Sequence, residues 1–202
     1  AIGGIVTFEN LSAGNYSLEI WNVNYSSFDG ENNCMVSSPL TLTQPEPIII
    51  NEVLAIEQEC GYNVSCFGAT DGIINVDASG GCGLFYEWDL IIRDDEGTIT
   101  DSIPIGSNSP TLENVGAGEY RVSITDLVST TSCGGTEFTI LTEPDEIIVT
   151  TSQNNVSCFG GSDGNVEINI SGGCSTGISS DYSIEWINEN GEMQCKKDLP
   201  YG

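Results

Sequence analysis

A ten-residue stretch, Asn63-Val64-Ser65-Cys66-Phe67-Gly68-Ala69-Thr70-Asp71-Gly72, returns 92 residues later as Asn155-Val156-Ser157-Cys158-Phe159-Gly160-Gly161-Ser162-Asp163-Gly164. Each copy runs into the same alternation. Ile74, Val76 and Ala78 enclose Asn75 and Asp77, and Val166, Ile168 and Ile170 enclose Glu167 and Asn169. Apolar residues at every second position mark a strand with one buried face. Both runs stop at Ser-Gly-Gly-Cys, ending in Cys82 and Cys174. A chain with such internal copies folds as an array of β-modules.

A second repeated signal fixes the other half of the unit. Phe8-Glu9-Asn10-Leu11-Ser12-Ala13-Gly14-Asn15-Tyr16 matches Leu112-Glu113-Asn114-Val115-Gly116-Ala117-Gly118-Glu119-Tyr120, 104 residues on. Gly-x-Tyr leading into a strand reads as a tyrosine corner, whose ring packs while its hydroxyl bonds nearby backbone. Proline fixes φ and removes a donor, so Gln44-Pro45-Glu46-Pro47 and Glu143-Pro144-Asp145 end strands and stiffen the connections between modules. The boundaries that follow are 1–45, the second half of a sandwich repeat; 46–144, a complete repeat; and 145–202, the first half of another. Strands are expected at 48–56, 73–79, 84–92, 98–103, 110–114, 119–126 and 136–142 of the complete repeat. Short strands separated by Gly, Asn, Ser, Asp and Pro, with no helical spacing over ten residues, make the class all-β. Seven strands around a Trp (Trp88, matched by Trp186) fit tandem immunoglobulin-like sandwiches. Tyr86, Trp88, Tyr120 and Phe138 are expected to point inward. A half-module cannot bury its own sheet, so the sequence reads as a window on a longer chain.

Thirty acids against Arg93, Arg121, Lys196 and Lys197 give a net charge of −26. Nucleic acid and anionic membranes are poor partners for such a chain, because phosphate contact needs clustered bases. No apolar run approaches the length of a membrane span. Catalysis is not expected: there is no His for proton transfer, and the acids lie on solvent faces or in turns. No cofactor is implied. The only metal reading is weak Ca²⁺ binding by Asp94, Asp95 and Glu96 at a hairpin tip or by Glu143 and Asp145 at a junction, against which stands the need for six to eight converging oxygens. Asp71-Gly72 and Asp163-Gly164 read as turns before strands. Six Asn-x-Ser sequons, at Asn10, Asn15, Asn24, Asn63, Asn155 and Asn169, would matter only in a eukaryotic secretory pathway.

Eight Cys with no His and no Cys-x-x-Cys argue for disulfides and an oxidising, extracytoplasmic setting rather than for zinc. Sandwich topology sets the loop after the second strand and the loop before the last strand at one end, so Cys82 is expected to pair with Cys133. The loop after the first strand and the turn after the Trp strand share the other end, which favours Cys158 with Cys195. Cys60 is left to close a short loop with Cys66, and Cys34 and Cys174 would find partners outside the window.

The copied Val-Ser-Cys-Phe-Gly motif, the alternating strand with Ser-Gly-Gly, the Trp strand, Asn-Leu-Ser-Ala-Gly-Asn-Tyr, the Cys loop and Thr-Glu-Pro together closely resemble SprB-type repeats, over essentially the whole chain. Such repeats build very large surface proteins of gliding Bacteroidetes and occur in other secreted proteins of that phylum. The resemblance implies an adhesin stalk exported by type IX secretion and held at the outer surface. The partners it implies are neighbouring repeats, the outer-membrane secretion or gliding machinery, and surface polysaccharide. It also implies that Asp101-Ser102-Ile103 fits a short O-glycosylation pattern at Ser102, and it offers Cys66 with Cys133 as a competing bridge. The chain departs from the common repeat in Cys82, Cys174, Cys60 and Cys195. The rival reading is a carbohydrate-binding accessory module of a secreted polysaccharide-degrading enzyme, which would need a platform of exposed aromatics.

Overall fold

The computed structural model describes residues 4–21, 35–58, 60–127, 133–174, 182–187, 189–191 and 193–199. Cys34 and the side chain of Cys195 lie outside the described residues. The chain divides into two compact units, Ala1–Glu46 and Pro47–Gly202.

In the first unit β1 (Gly14–Trp21) pairs antiparallel with β2 (Met35–Leu42), Gly14 opposite Leu42 and Trp21 opposite Met35. The Tyr16 hydroxyl donates to the Ser12 carbonyl at 2.6 Å, the bond expected of a tyrosine corner. Asn10, just before it, takes φ of 60°. The left-handed region is one that Asn tolerates better than other residues bearing a Cβ.

The second unit opens with the complete sandwich: β3 (Ile49–Ala55), β4 (Gly72–Ser79), β5 (Leu84–Arg93), β6 (Ile99–Pro104), β7 (Thr111–Val115), β8 (Gly118–Asp126) and β9 (Gly134–Leu141). These are the seven strands the periodicity predicts, each within two residues. They form a sheet of order β3-β4-β7 and a sheet of order β6-β5-β8-β9. The fold is all-β, and its two sheets are consistent with an immunoglobulin-like sandwich.

The core follows from the alternation. Ile74 and Val76 of β4, Leu112 of β7, Trp88 of β5, Tyr120, Val122 and Ile124 of β8, and Leu141 of β9 are its buried members. Trp88 is 1% exposed. Its indole N–H donates to the Ser109 carbonyl at 2.9 Å, so burying this large ring leaves no polar atom unpaired. The Tyr120 hydroxyl donates to the Gly116 carbonyl at 2.9 Å, and Asn114 repeats the φ of 60° seen at Asn10. Burial pushes the Tyr120 phenol above its ordinary range. Tyr86 packs partly buried against the same cluster.

Phe138 corrects the sequence reading: it faces outward and is 43% exposed. In β9 the odd-numbered residues turn to the core, ending at buried Leu141, which leaves Phe138 and Ile140 on the solvent face. The Arg93 guanidinium lies over the Phe138 ring, 5.7 Å from its centroid. That outer face also holds two ion pairs, Arg93 with Glu119 at 2.6 Å and Arg121 with Asp89 at 2.7 Å. The Arg93 hydrogen bond lowers the Glu119 pKa and raises that of Arg93 in turn.

Four more strands complete the described part of the unit. β10 (Asp145–Asn154) pairs with β11 (Asn165–Gly173), and β12 (Tyr182–Ile187) pairs with β13 (Met193–Leu199). The position expected as a boundary, 144–145, therefore runs inside the second compact unit. β10 is exposed along its whole length, and Trp186 is 44% exposed where Trp88 is 1%. Among the described residues beyond 144 there is no counterpart of β7, β8 or β9, the strands whose side chains help to bury Trp88. Trp88→Ala is expected to lose about 3–5 kcal/mol by leaving a large cavity, whereas Trp186→Ala should cost less than about 1 kcal/mol. Urea unfolding followed by circular dichroism measures both.

Candidate functional site: a clamp and a bridge where the sandwich ends

Chain direction decides what stands at each end of the sandwich. Ile49 of β3 pairs with Ser79, at the end that also holds Asp126 and Cys133. Leu141 of β9 pairs with Gly118, at the opposite end. The backbone therefore starts the module at one end and leaves it at the other, roughly 25 Å away for an eight-residue strand. The copied ten-residue motif forms the loop between β3 and β4, and that loop wraps the departing chain.

Asn63 is the centre of the wrap, only 7% exposed. Its side-chain carbonyl accepts the Thr142 backbone N–H at 2.9 Å and the Thr142 hydroxyl at 3.0 Å. Its amide donates to the Ile56 carbonyl at 3.2 Å. The backbone N–H groups of Asn63 and Val64 both donate to the Thr142 carbonyl, at 2.9 and 3.3 Å. Thr142 is thus held on both its backbone groups and its hydroxyl. One residue further, Glu143 accepts the Gly68 N–H at 2.7 Å. Pro144 is fully buried.

The loop is held in shape by its own motif. The Asp71 carboxylate accepts the Ser65 N–H at 3.0 Å, and Ala69 N–H closes a turn on the Cys66 carbonyl at 3.0 Å. The second copy makes the same two bonds, Ser157 N–H to Asp163 and Gly161 N–H to the Cys158 carbonyl, both at 3.0 Å. Hydrogen bonding by Ser65 pulls the Asp71 carboxyl below its ordinary 3.8, and Ser157 does the same to Asp163. Gly72 closes the loop against the exit strand: a Cβ there would stand 2.5 Å from a Leu141 methyl and 2.7 Å from the Val115 carbonyl oxygen. The Val115 carbonyl of β7 cannot move aside as the Leu141 methyl can, so close approach of β7 backbone, rather than turn geometry alone, requires this glycine.

The same loop carries Cys60, in a turn where Gln58 N–H bonds the Tyr62 carbonyl and Gly61 N–H bonds the Gln58 carbonyl. Cys60 is joined to Cys174, just beyond β11, with Cα atoms 5.8 Å apart. This corrects two expectations, the Cys60–Cys66 loop and the placing of the Cys174 partner outside the window. The Cys66, Cys82 and Cys158 thiols are exposed and not bridged. The expected Cys82–Cys133 bond is accordingly not formed, and the expected partner of Cys158, the Cys195 side chain, lies outside the described residues. β8 lies between β5 and β9, so Cys82 and Cys133 reach Asp126 from opposite sides: Asp126 accepts the Cys82 N–H at 2.8 Å and donates its own N–H to the Cys133 carbonyl at 3.1 Å. Cys195 sits within β13 opposite Trp186 rather than in the turn after β12. The competing Cys66–Cys133 bond would have to span the module from end to end.

The other singled-out acids are not brought together. Asp94 accepts the N–H groups of Glu96 and Thr98, at 3.1 and 2.7 Å, and so shapes the hairpin tip it shares with Asp95. Glu143 serves the clamp and Asp145 begins β10. Among the described residues no three potential ligands converge on a point that could hold a metal. Ser102 lies on edge strand β6, half-buried, with its hydroxyl accepting from Arg121 at 3.1 Å.

A family model described as the SprB repeat matches residues 62–89 and 150–191. The first match covers the clamp loop from Tyr62, β4 and β5 as far as Asp89, and the second runs from Thr150 in β10 through β11 and β12 to Gly191. No curated protein and no solved structure matches the chain.

Two outcomes follow from the clamp. Asn63→Ala should cost about 1–3 kcal/mol by stranding the Thr142 groups it satisfies, read by urea unfolding. The folded-state pKa of Asp71 lies below the ordinary 3.8, so its stabilisation is complete above that value and is lost as the pH falls through the lower folded pKa. Thermal melts between pH 2.5 and 7 should show Asp71→Asn destabilised at neutral pH and converging on the parent in acid.

Proposed function

We propose that this chain, whose residues 62–89 and 150–191 match the SprB repeat, is a stalk segment of a large secreted cell-surface adhesin, whose modules space a distal binding region from the cell during attachment or gliding. The observation that carries this reading is the placing of chain start and chain exit at opposite ends of the complete sandwich, with the exit gripped by the repeat's own motif. Such a module adds length in one direction each time it is repeated, which is what a stalk requires. The surplus of acids, 30 against 4 bases, suits a repulsive and soluble surface in an extracellular medium.

Partners in this reading are neighbouring repeats and the secretion or gliding machinery of the outer membrane. No step of chemistry is assigned. A carbohydrate-binding accessory module would present flat aromatic rings; of the five strand aromatics of the complete sandwich Trp88 and Tyr120 are buried, Phe85 and Tyr86 are half-buried, and the exposed Phe138 lies beneath Arg93. Antibodies to the 202-residue chain should label intact, unpermeabilised cells, and a glycan array should show no saturable binding by the purified chain. Absence of surface label would refute the stalk, and specific glycan binding would favour the accessory module.

A further inference from the structure

The Cys60–Cys174 bond joins residues 114 apart in sequence and closes the chain between them into a covalent ring. Its two ends lie on opposite sides of the junction: Cys60 in the clamp loop that follows β3, Cys174 just beyond β11. A pull along the backbone from the Pro47 side passes through β3 and reaches Cys60 after few residues. There it meets two routes. One runs through the rest of the clamp loop, β4 to β9, the Thr142–Asp145 junction, β10 and β11. The other is the single bond to Cys174.

We propose that this bridge is a load bypass, a covalent strap that carries tension across the junction and leaves the strands inside the ring, β4 to β11, off the line of pull. The proposal rests on the stalk reading for its use, since only a chain held at both ends is pulled. The alternative route is the weaker one. It contains elements joined only by hydrogen bonds and packing, the grip of Asn63 on Thr142 among them. With the strap closed, those elements can loosen without the chain lengthening.

Three features of the sequence agree. Cys60 has no counterpart in the second copy, where Ser152 stands 92 residues on, so the strap belongs to this junction and is not a property of every repeat. Cys82 occupies the place after β4 that Cys174 occupies after β11, yet it is an unbridged thiol. What selects Cys174 over Cys82 is position: Cys82 stands at the chain-start end of the sandwich with Asp126, and Cys60 stands at the exit end with Asn63. Closing the strap converts two thiols to one disulfide, with two protons and two electrons passing to a disulfide oxidant such as oxidised glutathione, which leaves as two thiols.

Single-molecule pulling of the whole 202-residue chain between its termini tests the strap. After oxidation with a glutathione redox buffer the fully extended chain should be shorter by about 400 Å than after reduction, at roughly 3.5 Å for each sequestered residue. Cys60→Ser and Cys174→Ser should each show the full length under both conditions, and Cys82→Ser should behave as the parent. Peptide mapping without reduction should join the Cys60 and Cys174 peptides and leave Cys82 open to maleimide. Equal lengths in oxidised and reduced chains, or a Cys60–Cys66 peptide, would overturn the proposal. These outcomes are independent of where the protein sits on the cell, so failure of the stalk reading would show in the surface label instead.

Discussion

The structure hangs on a buried amide. Asn63 is almost removed from solvent, yet both its side-chain oxygen and its side-chain nitrogen find partners, and its own backbone N–H reaches the residue its oxygen also holds. A buried amide left without partners would cost on the order of 1–3 kcal/mol. Thr142 and Ile56 must therefore stand where they do for the loop to fold at all. Through Thr142 the constraint passes to β9 on one side and to Pro144 on the other, so the last strand of the sandwich and the departure of the chain are fixed together. Gly72 adds a steric demand from the same loop, since Leu141 and the Val115 carbonyl occupy the space any side chain would need.

Much of the sandwich was legible in the sequence because its determinants are local. Alternation in 73–79 and 119–126 names the strands and their inner faces, and Gly-x-Tyr names the tyrosine corner before any fold is known. Phe138 was misplaced for an equally local reason. β9 opens on Gly134-Gly135 and continues through Thr136 and Glu137, so its first half gives no apolar residue from which to count faces. The buried residue that settles the register is Leu141, at the far end of the strand.

The clamp and the bridge were not legible, because their partners are distant in sequence. Asn63 and Thr142 stand 79 residues apart. Read alone, the copied motif is a polar turn, and the readings of Asp71-Gly72 as turn residues and of Glu143 as a weak cation ligand follow from that. The disulfide expectation failed at a different step. It paired cysteines within one module by matching loop ends, whereas Cys60 reaches a cysteine beyond the junction. One signal in the sequence pointed that way: Cys66 and Cys82 each have a copy 92 residues on, and Cys60 does not. A cysteine outside the repeat pattern has no reason to find its partner by the pattern.

Charge gives the junction a further physical role. Thirty acids face only four bases, and the two arginines are engaged in ion pairs on the outer face of one sheet. Exposed pairs of this kind contribute little to stability. The surplus acids repel over roughly the Debye length, about 8 Å at physiological ionic strength, so neighbouring modules push on each other mainly where they come close. The push opposes collapse of the chain onto itself, but it also acts to part what the junction joins. Neutral contacts answer it there: the Asn63 amide, the buried Pro144 ring and the disulfide carry no charge and are not weakened by the field. Glu143 is the exception, and its carboxylate is taken up by the Gly68 N–H. The surface can then be strongly acidic without loosening the point at which the chain leaves the sandwich.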